Sequence, residues 1–124
     1  MSGIKFLLDT NIVIGLLKDY EPAIQLAEEV GLELEKSAVS QITRMELLSY
    51  PKITNEDESI INSFLKECTI LLLDEKIEMK ATLLRRSGAF KLPDAIVAAT
   101  AIVNDLRLLT LDKRMTQASI EKNK

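Results

Sequence analysis

Histidine is absent from this 124-residue chain, and its absence removes several classes of enzyme. A Ser-His-Asp or Cys-His triad, a ribonuclease with two catalytic imidazoles and most zinc enzymes all need imidazole as a base or a ligand. Any catalysis by this chain must therefore rest on carboxylates, and carboxylates favour hard cations.

Cysteine and long apolar runs are also scarce. Cys68 is the single cysteine, so it forms no internal disulfide, and its place in the run CTILLL predicts a small core residue rather than a nucleophile. The first apolar run, IKFLL, is interrupted by Asp9 before it reaches the length of a signal-peptide core, and no stretch is long enough to span a bilayer. We therefore expect a cytoplasmic protein with no membrane association.

The length and the net charge of the chain indicate how many domains it forms and which partners it can bind. A chain of this size ordinarily buries enough apolar surface to fold without disulfides or a structural metal, so we predict a single domain over residues 1–124. The net charge of -3 argues against binding nucleic acid through bulk charge. The charge is uneven, because residues 76–91 carry five basic residues against one acidic residue, so local attraction for a polyanion remains open.

Apolar patterning and turn residues predict strands that alternate with helices. The predicted strands are 4–8, 37–40, 68–73 and 107–111. The predicted helices are 11–18, Pro22 to about Gly31, 42–49, a helix capped by Thr54 and Asp57, Asp74 to about Gly88, 93–105 and a short final helix at 113–119. Such alternation implies an α/β layered sandwich with a parallel sheet, whose sites lie at the carboxyl ends of the strands.

Two acidic residues directly follow predicted strands. Asp9 ends the run IKFLLD, and Asp112 follows the run RLLTL with Thr110 two residues before it. Both positions belong to the edge of the sheet where ligands bind. Each also has a structural alternative, since Asp9 would cap the next helix and Asp112 would suit a turn.

Two further acidic residues lie on predicted helices. Asp94 follows Pro93 in the first turn of an almost wholly apolar helix, where it would interact favourably with the helix dipole. Glu46 lies four residues after Ile42, on or beside the stripe expected to face the core, where a charge is costly unless it is paired or binds a cation. The alternative for Glu46 is an edge position from which it reaches solvent.

The α/β topology would bring these acids together from widely separated segments. Like charges at close range repel and raise each other's pKa, and a divalent cation removes that conflict. Ligation by oxygen alone suits Mg²⁺ or Mn²⁺, which can bind a phosphate oxygen and activate a water for in-line attack.

Four motifs in order resemble those of PIN domains, in particular the VapC-type toxins of bacterial and archaeal toxin-antitoxin systems. They are LLDTN at 7–11, MELL at 45–48, LPDAIVAATA at 92–101 and LLTLD at 108–112. The resemblance extends over nearly the whole chain. It implies a three-layer α/β/α sandwich with a central parallel sheet in the strand order 3-2-1-4-5.

The resemblance also implies an activity, a site and partners. The activity is that of a metal-dependent endoribonuclease, and the partners are RNA, a cognate antitoxin and a second copy of the chain in a homodimer. The metal-binding acids of the family fall on Asp9, Glu46, Asp94 and Asp112, and its supporting polar positions fall on Thr10, Asn11 and Thr110.

The resulting hypothesis is hydrolysis of RNA phosphodiester bonds assisted by Mg²⁺ or Mn²⁺. Arg85, Arg86 and Lys91 are candidates to contact the RNA backbone, although a solvated charged face is the alternative for each. A noncatalytic PIN-like module that binds protein or RNA is the rival from another class. Phosphoryl transfer through an aspartyl phosphate is disfavoured, because such phosphatases usually carry a second Asp at the position of Asn11.

Overall fold

Four parallel strands form a central sheet in the computed structural model of the chain, which describes residues 3–115. The sheet has the order β3-β2-β1-β4, which confirms the predicted order for these strands. The predicted fifth strand is not among the described residues, and residues 116–119 of the predicted final helix lie outside them. The strands are β1 (Phe6–Leu8), β2 (Ser37–Ser40), β3 (Thr69–Leu71) and β4 (Arg107–Leu109).

Helices cover both faces of the sheet, because successive strand residues point to opposite sides and both sides are apolar. Leu7 contributes to the core beneath α5 and α6, whereas Leu8 contributes to the core beneath α1–α4. The predicted three-layer α/β/α sandwich is confirmed. The helices are α1 (Thr10–Leu17), α2 (Glu21–Val30), α3 (Gln41–Leu48), α4 (Asn55–Glu67), α5 (Glu75–Arg86) and α6 (Leu92–Val103).

Strand β2 has its predicted bounds, whereas β1 begins two residues later than predicted and β3 and β4 each end two residues earlier. The Leu73 backbone N–H donates to the Gln41 side chain at 2.8 Å rather than to a neighbouring strand, and both Leu72 and Leu73 are exposed. A short 3₁₀ helix, Leu34–Lys36, was not predicted and leads directly into β2. These differences move element boundaries without changing the order of the elements.

Polar side chains at the carboxyl ends of two strands begin the next helices. The Asp9 carboxylate caps α1 by accepting from the Thr10 N–H, and the Ser40 hydroxyl caps α3 by accepting from the Ile42 N–H. Since an N-cap satisfies a backbone donor that the helix leaves free, each helix starts within one residue of its strand. The first turns of α1 and α3 therefore lie at the same edge of the sheet.

Helix α6 is buried as its composition predicted. Its buried residues run almost without interruption from Ala95 to Ala101, and small alanine side chains let α5 and the sheet approach closely. Pro93 lies in the first turn, where its missing N–H costs nothing. Asp94 is the acidic residue of that turn, so the rigid helix fixes its position.

Cys68 packs at the end of α4 as a partly buried residue of the core, as predicted. Burial, with a smaller contribution from Glu67, raises the pKa of its thiol to about 11. The thiol is therefore protonated at neutral pH, which disfavours a nucleophilic role. Among residues 3–115, no helix combines the length and apolar character that crossing a membrane requires.

The contact between α1 and α2 depends on Gly15, and we predict that Gly15→Ala destabilises the protein. A Cβ at residue 15 would lie 2.6 Å from the Cβ of Ala23, and overpacking of this kind costs about 1–3 kcal/mol. An Ala inside a helix would otherwise stabilise it by roughly 0.5–1 kcal/mol. The free energy of unfolding in urea measures the effect.

Ala23→Gly provides the matched background for this test. If the clash is the cause, Gly15→Ala should no longer destabilise the Ala23→Gly variant, so the two substitutions should couple favourably. A Gly15→Ala protein as stable as the wild type would show that the two helices do not pack this closely.

Candidate active site

Asp9 lies at the centre of a polar cluster at the carboxyl end of β1. Its side chain is 6% exposed, and both of its oxygens accept hydrogen bonds. Oδ1 accepts from the Thr10 N–H at 2.8 Å, and Oδ2 accepts from the Thr110 hydroxyl at 2.7 Å and the Asn11 side-chain amide at 3.3 Å. Asp9 thus caps α1 and also presents a carboxylate whose orientation is held from three directions.

Asn11 and Thr110 connect the first turn of α1 to the segment that follows β4. The Asn11 side-chain Nδ2 donates to the Thr110 hydroxyl at 3.3 Å, and the Asn11 side-chain Oδ1 accepts from the Leu111 N–H at 3.1 Å. The Thr110 hydroxyl also accepts from the Asp112 N–H at 3.0 Å. These bonds link segments about a hundred positions apart in the sequence, so the geometry at Asp9 depends on the complete sheet.

Glu46 reaches the same edge from α3. The Thr10 hydroxyl donates to Glu46 Oε1 at 2.7 Å and lies 3.0 Å from the hydroxyl of Thr43, which is fully buried. Glu46 itself is exposed, and the core-facing side of α3 carries Thr43 and Leu47. The expectation that Glu46 lies on or beside the core stripe is therefore wrong, and the alternative of an edge position open to solvent holds.

Asp94 approaches from the first turn of α6. It is half-buried, and no hydrogen bond or ion pair with another of residues 3–115 engages its carboxylate. Its negative charge nevertheless acts on Asp9. Asp9 at the end of β1, Asp94 in the first turn of α6 and Glu46 in the second turn of α3 therefore lie close enough for the charges of Asp94 and Glu46 to act on Asp9.

The pKa of Asp9 reports this crowding. Burial raises the pKa above its ordinary value of 3.8, and the negative charges of Asp94 and Glu46 raise it further. Hydrogen bonds from the Thr110 hydroxyl and the Thr10 N–H oppose the rise because they stabilise the charged form. The ionised carboxylate therefore costs folding free energy, which the donors from Thr10, Asn11 and Thr110 partly offset and which a bound cation would offset further.

Asp112 is joined to the cluster through its backbone rather than its carboxylate. Its Oδ1 accepts from the Arg114 N–H at 3.0 Å and Nε at 3.3 Å, and its Oδ2 accepts from Nη2 at 3.2 Å. These bonds hold the pKa of Asp112 below its usual range, with the Arg114 side chain as the largest cause. Asp112 is thus linked to Asp9 through Thr110, and in this structure it is not a direct partner of Asp9.

The three candidate RNA-binding residues lie on the surface between α5 and α6. Arg85 and Arg86 occupy the last turn of α5, and Lys91 is the N-cap residue of α6, three positions before Asp94. All three are exposed, and their side chains make no ion pair with any of residues 3–115. Their charges are therefore not neutralised by an ion pair within residues 3–115 and can contact a polyanion.

The donor set fits a hard divalent cation in its chemistry, although it is not a preformed cage. No three acidic side chains within residues 3–115 are arranged so that they could already hold a metal ion. Mg²⁺ keeps several waters and is usually bound through one or two carboxylates, so it does not require such a cage. The carboxylate of Asp94 makes no hydrogen bond or ion pair with any of residues 3–115 and raises the pKa of the buried Asp9, and this crowding of negative charge is the observation that fits a cation.

The sequence patterns did not predict two residues of the cluster, Thr43 and Arg114. Thr43 precedes Glu46 by three residues, and that spacing places both on neighbouring positions of one helix side. A polar residue three positions before Glu46 is therefore the sequence feature that could have predicted Thr43 as its neighbour. Arg114 lies two residues after Asp112 in an irregular segment, for which no periodicity predicts where a side chain points.

A second surface lies apart from the acids. An open groove of about 320 Å³ runs between α1, α3 and α4, and four of its lining residues are Leu17, Leu47, Tyr50 and Ile60. Tyr50 and Ile60 are exposed apolar residues. None of the four predicted acids lines this groove.

Comparisons with known proteins agree with this architecture. The family model of the PIN domain matches residues 6–121. A toxin-antitoxin complex from Klebsiella pneumoniae contains a chain with 33% identity over 87% of each chain and a TM-score of 0.73.

Two further structures share the fold at lower identity. DNA-bound VapBC from Salmonella typhimurium has 23% identity over 92% of this chain and 91% of that chain, with a TM-score of 0.77. VapBC-1 from nontypeable Haemophilus influenzae has 23% identity over 96% and 94%, with a TM-score of 0.73. A search of curated protein sequences finds no significant match.

The Thr110 hydroxyl is the strongest support of the Asp9 carboxylate, and we predict that Thr110→Val destabilises the protein in a pH-dependent way. Loss of a hydrogen bond to a charged group costs about 1.5–3 kcal/mol at about pH 7. The pKa of Asp9 rises further, so stability falls as pH rises through the interval between 3.8 and the new, higher folded value. Below that interval Asp9 is protonated in both states, and the pH-dependent part of the loss disappears.

Thr100→Val is the matched control for this substitution. Thr100 is equally buried, but its hydroxyl donates to the neutral Ile96 carbonyl at 2.7 Å. Its loss in free energy of unfolding should be the same at about pH 7 and about pH 4. A Thr110→Val loss that is equally independent of pH would contradict the assigned coupling between Thr110 and Asp9.

Proposed function

Because the chain is a VapC-like member of the PIN domain family, a family of nucleases, we propose that it is a Mg²⁺- or Mn²⁺-dependent endoribonuclease and the toxin of a type II toxin-antitoxin system. One observation carries the proposal: the negative charges of Glu46 and Asp94 lie close enough to the buried Asp9, at the carboxyl ends of the strands, to raise its pKa. Hydrolysis of a phosphodiester is the chemistry that such a set of acids serves in a site without histidine.

Asp9, Glu46 and Asp94 would hold the cation directly or through water, and Asp112 would complete the cluster or bind a second ion. When bound, a divalent cation supplies positive charge to the phosphate oxygens and makes a water a stronger nucleophile. Arg114 already fills most acceptor positions of the Asp112 carboxylate. Asp9 is held by uncharged donors instead, namely the Thr10 N–H, the Thr110 hydroxyl and the Asn11 side-chain amide.

The polar neighbours position these acids. Thr110 and Asn11 orient Asp9, and Thr10 orients Glu46 while its backbone N–H holds Asp9. Partners of this kind are worth roughly 10–100-fold in metal affinity or activity. Arg85, Arg86 and Lys91 would contact the RNA backbone, where basic side chains supply affinity without reading sequence.

The proposed partners follow from the same family assignment. They are an RNA substrate, a cognate antitoxin and a second copy of the chain in a homodimer, all in the cytoplasm. The complexes from Klebsiella pneumoniae and Haemophilus influenzae support an antitoxin partner. The apolar groove between α1, α3 and α4 is the surface that we assign to the antitoxin, because binding there buries exposed Tyr50 and Ile60.

A noncatalytic PIN-like module remains the second candidate function. The observation that favours it is that no three acids within residues 3–115 are arranged to hold a metal ion in advance. Such a module would use the same fold to bind protein or RNA without cleaving it.

Cleavage of a mixed RNA pool separates the two functions. We predict cleavage with Mg²⁺ or Mn²⁺, loss of cleavage with EDTA, and a decrease of about 100-fold or more for Asp9→Asn, since loss of a supporting residue alone costs roughly 10–100-fold. Glu58→Gln, an exposed substitution on α4 with the same change in net charge, should retain full activity. Gel electrophoresis of end-labelled RNA measures the rates.

The result that contradicts the enzyme is equally specific. RNA breakdown that persists in EDTA and is the same for the wild type and Asp9→Asn would indicate a contaminating nuclease. Binding of RNA without cleavage at any metal concentration would favour the noncatalytic module.

A further inference from the structure

Arg114 is the basic side chain that pairs with the acidic edge of the sheet. Its backbone N–H and Nε donate to Asp112 Oδ1, and its Nη2 donates to Asp112 Oδ2. The Asp112 N–H donates in turn to the Thr110 hydroxyl, which donates to Asp9 Oδ2. Asp112 and Thr110 therefore connect the guanidinium to the buried carboxylate of Asp9.

The charge of Arg114 acts on a second acid of the site as well. Asp94 raises the pKa of the guanidinium, in addition to the larger effect of Asp112. The Arg114 side chain is 81% exposed, whereas that of Asp112 is 28% exposed. Arg114 is thus held by charge and hydrogen bonds rather than by packing, and it can leave without opening a cavity.

We propose that Arg114 is the resident counter-ion of the acidic site, which it neutralises at Asp112 and from which a divalent cation displaces it. The inference rests on the proposed function, because it presupposes that a divalent cation binds at these acids. It adds a competitor that is part of the chain itself and that sets how readily the site accepts the ion.

The geometry of the pair makes the competition direct. Arg114 contacts both Asp112 oxygens and, through its backbone N–H, Nε and Nη2, fills three of the roughly four lone-pair positions of the carboxylate, so a cation that binds Asp112 directly meets the guanidinium at the same group. A guanidinium does not lose its proton in proteins, so no ordinary change in pH removes the competitor. A cation that binds the acids therefore competes with a permanent positive charge, in an exposed pair that salt also weakens.

Mn²⁺ binding measured by isothermal titration calorimetry tests the proposal without reference to activity. Removal of one exposed charge partner changes an interaction modestly, so Arg114→Gln should bind Mn²⁺ about two- to fivefold more tightly than the wild type at low ionic strength. The difference should shrink in about 0.3 M KCl, because exposed charges are screened. Arg114→Lys, which keeps the charge but lacks the planar fork, should fall between the two.

Arg107→Gln is the matched control. Arg107 is exposed and begins β4, so it lies at the amino ends of the strands, away from the acids. Its substitution by Gln changes the net charge by the same amount as Arg114→Gln. Its Mn²⁺ affinity should equal that of the wild type. An equal gain in both variants would assign the effect to overall charge and overturn the proposal.

The Arg114 side-chain Nε–H resonance provides a second readout in the wild-type chain. Addition of Mg²⁺ should shift this resonance as the guanidinium leaves Asp112, with a midpoint that matches metal binding. Because this measurement needs no variant, it decides the question even if Arg114→Gln folds poorly.

The outcomes separate this inference from the proposed function. If the wild type binds Mn²⁺ but Arg114→Gln binds it with the same or lower affinity, or if the Nε–H resonance does not move, Arg114 is not the displaced counter-ion and the proposed function stands. If the wild type binds no Mn²⁺ at all, the metal-dependent function fails and the inference fails with it.

Discussion

The hydrogen bond from the Thr110 hydroxyl to the buried Asp9 carboxylate, 2.7 Å long, is the interaction on which the site depends. It joins the residues that follow β1 and β4, two neighbouring strands of one parallel sheet, and it stabilises a charge that burial alone would disfavour. Without such donors the pKa of Asp9 would be raised further. The same hydroxyl also accepts from the Asp112 N–H and so holds the Asp112 backbone near the cluster. Fold and site are therefore coupled, since the sheet must be complete before the acids meet.

Much of the fold could be predicted because local chemistry and global topology agree. Asp9, Thr54 and Asp74 cap helices as their spacing indicates, and the apolar run from Ala95 to Val103 forms a buried helix. The strand order came from the family resemblance, because periodicity alone does not order parallel strands. The phase of α3 could not be predicted to within one residue, and that uncertainty decides whether Glu46 faces the core or the solvent. The pairing of Arg114 with Asp112 depends on side-chain directions in an irregular segment, which no sequence pattern encodes.

The arrangement of charges favours function over stability. Asp94 makes no hydrogen bond or ion pair with any of residues 3–115, and with Glu46 it raises the pKa of Asp9. A protein selected for stability alone would pair or remove such a group. Arg114 relieves part of the conflict at Asp112, but Asp9 has only neutral donors. The proposed divalent cation would offset the remaining excess of negative charge, and Glu46 is the acid of the set that is exposed to solvent.

The pKa of Asp9, measured by carboxyl ¹³C NMR with and without Mg²⁺, tests the central claim most directly. The account predicts a pKa above the ordinary value of 3.8 in the metal-free protein. It also predicts a marked decrease on addition of Mg²⁺, because a nearby cation favours the charged form. An Asp9 that titrates at its ordinary value, with no response to Mg²⁺, would contradict both the crowding of the acids and the role of the cation.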